Sequence, residues 1–82
     1  MMKVTVKFFA IARDLTGTEK TILTFPTSLP AFSVLEQLLV KYPQLKEWEN
    51  HLRVAVNCEY VSLEHVLHDG DEVAVIPPVS GG

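Results

Sequence analysis

A strong helical period appears in one stretch of this chain, and that stretch sits among short segments that alternate. In residues 34–42, VLEQLLVKY, the apolar side chains Val34, Leu35, Leu38, Leu39 and Tyr42 recur at helical spacing. Two starts fit this helix. Ser33 with Glu36 matches a capping box, and Ser28 is an alternative cap with Pro30 in the first turn. Pro43 ends it. Elsewhere the period is two. KVTVKFF (3–9) puts Val4, Val6 and Phe8 on one face and Lys3, Thr5, Lys7 and Phe9 on the other. KTILTF (20–25) reads as a second strand stopped by Pro26. RVAVN (53–57) is a third with Val54 and Val56 inward, YVSL (60–63) a fourth with Val61 and Leu63 inward. EVAVI (72–76) is the last, with Val73 and Val75 inward, and Pro77 ends its ladder. Thr16-Gly17-Thr18, Asn57-Cys58-Glu59 and Asp69-Gly70 supply turns, and residues 10–19 read as a connection. In 44–52, Leu45, Trp48 and Leu52 suggest a short helical turn covering the core.

The order is therefore β-β-α-β-β-β. One amphipathic helix covers one face of a mixed sheet, which gives a two-layer α+β domain. The long connection that holds the helix lets the last strand lie parallel beside the first. The expected architecture is a β-grasp, or ubiquitin-like, roll of about five strands with one main helix on one face. It divides into a domain over 1–76 and an extended tail over 77–82.

Composition narrows the options further. A chain of 82 residues buries little surface, yet 48% of these residues are apolar, enough for a dense core. A single cysteine, Cys58, makes no internal disulfide and fits a reducing cytoplasm. A net charge of −3 with only 7 scattered Lys and Arg argues against nucleic acid as a partner. The longest apolar runs are too short for a membrane span or a signal peptide.

The uncovered face of the sheet should be polar, and three positions on it are not. By parity Phe9, Tyr60 and Ile76 point away from the helix. Phe9 and Ile76 end strands expected to be parallel neighbours, so their side chains should meet where the tail departs. A clustered apolar patch of this kind suits a partner surface.

The tail itself is Pro77-Pro78-Val79-Ser80-Gly81-Gly82. Proline fixes φ and favours an extended arm, and Ile76 before it is pushed the same way. Six residues reach roughly 20 Å at full extension. Gly81 and Gly82 lack a Cβ, so the tip passes where a side chain would clash. No nucleophile or base sits at the tip; the reactive group is the carboxylate of Gly82.

FFAIARDLTG (8–17), AVNCEYV (55–61) and DGDEVAVIPPVSGG (69–82) resemble the small, sulfur-carrying subunit of molybdopterin synthase. The likeness runs over essentially the whole chain and is densest in PPVSGG. It implies that Gly82 is adenylated by an E1-like enzyme that uses ATP. A sulfur donor protein then converts it to a thiocarboxylate, which delivers sulfur to cyclic pyranopterin monophosphate and so builds the dithiolene of molybdopterin. It implies docking on the large synthase subunit, in a heterotetramer of two large and two small subunits, through positions matching Phe9, Tyr60, Ile76 and Arg13. Residues 77–81 thread the tail. The small subunit of this sulfurtransferase supplies the sulfur-bearing terminus and is not catalytic alone; it binds no cofactor.

Two other functions fit the Gly-Gly end: a ubiquitin-like modifier conjugated through Gly82, and a sulfur carrier of another pathway, such as thiamine synthesis or tRNA thiolation. The Pro-Pro pair and the chain length argue against thiamine synthesis. His65 and His68, with Glu64, Asp69 and Asp71 nearby, are the one conceivable metal cluster, but the Asp69-Gly70 turn breaks any helix that would align them, so no metal is expected. Cys58 is expected in an exposed turn beside the acidic Glu59, and sulfur delivery through the C-terminus does not need it.

Overall fold

The alternating segments become strands where the spacing places them. A computed structural model describes residues 1–78, and every structural statement below concerns these residues. β1 runs over Met2–Phe8 with Met2, Val4, Val6 and Phe8 all buried. A helix α1 covers Ala10–Thr16, then come β2 (Lys20–Phe25), α2 (Ala31–Lys41), a 3-10 segment (Pro43–His51), β3 (Arg53–Val56), β4 (Glu59–Val61) and β5 (Glu72–Ile76). The sheet order is β2-β1-β5-β3-β4. β1 and β5 are parallel at its centre, and the remaining neighbours are antiparallel.

The core lies between this sheet and α2. Val34, Leu35 and Leu38 of the helix join Val4, Val6, Val54, Val73 and Val75 of the strands. Each such side chain contributes about 1.5–3 kcal/mol by leaving water. Leu45 and Leu52 of the 3-10 stretch and its end close one flank, as the sequence suggests, and Leu67 enters from the long loop before β5.

Four details depart from the sequence reading. First, residues 10–16 are helical. α1 has no side-chain cap and spans only seven residues, so Ala12, which is buried, and Leu15, which packs on the core, make a stripe too short for periodicity to detect. Its stability comes from packing on the 3-10 segment, β1 and β5. The Thr16-Gly17-Thr18 signal is real, but it closes a helix: Gly17 sits at φ 74° as the C-cap, and its N–H donates to the Arg13 carbonyl at 2.9 Å.

Second, α2 begins at Ala31 with Pro30 as N-cap, and neither Ser28 nor Ser33 caps it. Its first amides are taken by another loop. Ala31 N–H donates to the His65 carbonyl at 2.8 Å and Phe32 N–H to the Leu63 carbonyl at 2.9 Å. With those donors satisfied, a serine cap has nothing to add. Third, β4 stops at Val61, so parity lapses and Leu63 is 42% exposed instead of inward. Fourth, Pro77, expected to start an outward arm, is buried, while Pro78 is exposed.

The acidic turn residues build the loops around β5. Asp71 accepts from the Asn57 side-chain amide at 3.1 Å and from the His68 N–H at 2.9 Å. Asp69 accepts from the Lys3 N–H at 2.8 Å. Between β3 and β4, Asn57 and Cys58 both take positive φ, 50° and 74°, in a two-residue hairpin turn.

Candidate functional site

β1 and β5 run in the same direction with Phe8 opposite Val75, so the next pair in register is Phe9 and Ile76. This is where the final segment leaves the sheet. Phe8 points into the core. Phe9 is still extended, at φ −123° and ψ 153°, and therefore points out, 47% exposed. Ala10 then turns sharply at φ 51°, a left-handed conformation, and sends the chain into α1. Ala12 N–H donates to the Phe9 carbonyl at 3.0 Å and holds that corner. Ala12, fully buried, lets α1 lie close to the sheet end.

These steps create an apolar groove lined by Phe9, Ala10, Ile11 and Trp48. Ile76, Pro77 and Pro78 complete its lining. The same three residues border a second depression on their other flank, completed by Arg53 and Tyr60. Tyr60 is 66% exposed and lies across β3, where Ala55 pairs both with it and with Ala74. Ile76, Pro77 and Pro78 thus line both depressions, with Phe9 and Trp48 beside them in one and Tyr60 in the other.

Of the residues singled out in the sequence, Phe9 and Ile76 share one groove, and Tyr60 joins Ile76 from the opposite flank. Arg13 is set apart from them. It projects from α1 into a neighbouring depression lined by Lys7, Phe8, Phe9, Glu19 and Lys20, with its guanidinium 3.9 Å from Glu19. Val79, Ser80, Gly81 and Gly82, the rest of the tail reading, lie outside the described residues. Ala10, Ile11 and Trp48 were not anticipated as part of this surface. Trp48 packs on the core as expected, and its exposed side also walls the groove. Ile11 would have been found had residues 10–16 been read as a helix.

Chemically, the described site offers shape and apolar contact. Among the described residues no group of three or more His, Cys, Asp or Glu comes together, and Cys58 is exposed in its hairpin turn. No helix of the described chain is long and apolar enough to cross a membrane.

The central parallel pair, the single main helix across one sheet face and the flanked exit of the last strand define a ubiquitin-like β-grasp protein. The ThiS family model matches residues 6–82, and the chain belongs to the ThiS family. A molybdopterin synthase sulfur carrier subunit from Escherichia coli is 40% identical over 94% of this chain and 96% of its own. Among solved structures, small archaeal modifier protein 1 from Methanosarcina acetivorans superposes with a TM-score of 0.83 at 32% identity, over 100% of this chain and 98% of that one. A complex of subunits 1 and 2 of the molybdopterin-converting factor from Helicobacter pylori contains a chain that matches with a TM-score of 0.69 at 29% identity, over 99% of this chain and 100% of that one.

Proposed function

We propose that this chain is the sulfur-carrier subunit of a molybdopterin synthase, with residues 77–82 as its working arm and 1–76 as the domain that presents it. The observation that carries this reading is the apolar surround of Phe9, Ile11, Trp48, Tyr60 and Ile76 at the point where Pro77-Pro78 lead into Val79-Ser80-Gly81-Gly82. Such a surround fits a partner that grips the base of an arm and takes its tip into a channel. The names of the relatives and the two-subunit complex from Helicobacter pylori support the same assignment.

The chemistry follows from an otherwise inert carboxylate. A Gly82 oxygen attacks the α-phosphate of ATP on an activating enzyme, and pyrophosphate leaves. Sulfur handed over by a donor protein at the sulfide level then attacks the acyl carbon, AMP leaves, and the thiocarboxylate remains. On the large subunit that sulfur passes to cyclic pyranopterin monophosphate, and two such deliveries complete a dithiolene. This chain contributes the acyl sulfur and the docking surface, while the large subunit, two copies with two of this chain, binds the pterin. Cytoplasmic placement belongs to this reading.

Intact-mass measurement after incubation with ATP, the activating enzyme and sulfide tests it. The mass should rise by the difference between a sulfur and an oxygen atom, and removal of Gly82 should abolish both that gain and pterin sulfuration. A shortened chain that still supports sulfuration refutes it. The likeness to an archaeal modifier protein favours a second reading, conjugation through Gly82 to lysines. High-mass adducts in cells without any thiocarboxylate would select that one.

A further inference from the structure

Phe9 lines two depressions. One is the apolar groove at the tail exit; the other is walled by Lys7, Arg13 and Lys20 with a single carboxylate, Glu19. In a chain with only 7 Lys and Arg, three of them gather beside one exposed phenylalanine, with Glu19 in the depression, Glu72 against Lys7 and Asp14 in the adjoining depression that shares Arg13 and Lys20. The sequence positions explain it. Lys7 and Lys20 are direct partners across β1 and β2 and project on the same open face, an arrangement that costs stability through like-charge repulsion. Two of the cations are partly compensated. Lys7 meets Glu72 at 3.2 Å and Arg13 meets Glu19 at 3.9 Å. Lys20 has no acidic partner within 4.0 Å among the described residues.

We propose that this basic depression docks an acidic segment of the protein that receives the tail, steering it onto the apolar groove. The inference rests on the function proposed above and names a chemistry for one part of its partner surface. A small anion is a poor occupant: the Lys7 and Arg13 side chains are 41% and 52% exposed, and no enclosed, dry site forms around them. A nucleic acid is a poor occupant too, since three cations on an otherwise acidic chain release few counterions. An acidic protein segment needs neither enclosure nor a long basic track, and the shared wall at Phe9 makes its seat continuous with the tail exit.

Stopped-flow association with the purified large synthase subunit at a series of salt concentrations tests this. Lys20→Glu should slow association about tenfold at low salt, and the difference should vanish as salt rises, with the dissociation rate little changed. Lys3→Glu, the same change of net charge at the far end of β1, serves as the control and should slow association far less. Circular dichroism melts of both variants confirm that they fold. Equal effects of the two substitutions, or no effect of Lys20→Glu, overturn the proposal while leaving the carrier function standing. Failure of the unaltered chain to bind the large subunit at all overturns both.

Discussion

Phe8 is 2% exposed and meets the Tyr42 ring edge-on, with centroids 5.5 Å apart, whereas Phe9 is 47% exposed. Substituting each separates stability from docking. Phe8→Ala should cost about 3–5 kcal/mol in urea denaturation by leaving a cavity under α2. Phe9→Asp should shift stability by only about 0.5 kcal/mol, yet weaken binding to the large subunit about tenfold or more in titration calorimetry. A large loss of stability in Phe9→Asp would mean that Phe9 belongs to the core. The hairpin turn gives a second residue-scale expectation. Cys58 holds φ 74° with a Cβ, a conformation glycine adopts freely, so Cys58→Gly should raise stability by about 0.5–1 kcal/mol in the same assay. The side chain is exposed and the proposed sulfur route does not use it, so sulfur loading should be unchanged.

At the scale of elements, α2 and the loop over residues 62–66 form one unit. The helix's first amides end on the His65 and Leu63 carbonyls, and an isolated bridge pairs Pro30 with Val66. Ser28→Ala and Ser33→Ala should therefore each change stability by less than about 0.5 kcal/mol, where loss of a true N-cap costs about 1 kcal/mol. Asp71→Ala removes an acceptor shared by Asn57 and His68 and should cost about 1–2 kcal/mol by thermal melting. The same elements show what a sequence can reveal. β1, β2, β3 and β5 were legible because alternation is a local consequence of burying one face. α2 was legible because eleven residues hold a helical stripe. The start of α2 was not, because its capping partners lie more than thirty residues away and no local pattern encodes them. α1 was hidden for a similar reason: in seven residues Ala12 and Leu15 give too short a period to read, and the packing that holds the helix is tertiary. Phe9, Tyr60 and Ile76 were readable as outward from parity alone, whereas Ile11 and Trp48 joined them only once α1 and the 3-10 segment were in place.

For the whole molecule, the last buried residue of the described chain is Pro77. Ending the chain after Pro78 should leave the melting temperature within a few degrees of the full-length value. Ending it after Val75 removes both the Arg53–Ile76 pair and the buried proline, and should destabilise the fold by several kcal/mol. A calorimetric scan of both truncations separates the presenting domain from the arm. The position of β5 matters in another way. It lies between β1, parallel to it, and β3, antiparallel to it, and the outgoing segment follows directly from its last residue, Ile76. A partner releasing or dragging on that segment loads the rungs on both sides lengthwise and together, so they must give way as a set instead of unzipping one by one. For the function proposed above, this arrangement would make the domain a mechanical anchor, holding its fold when a partner pulls on its outgoing end.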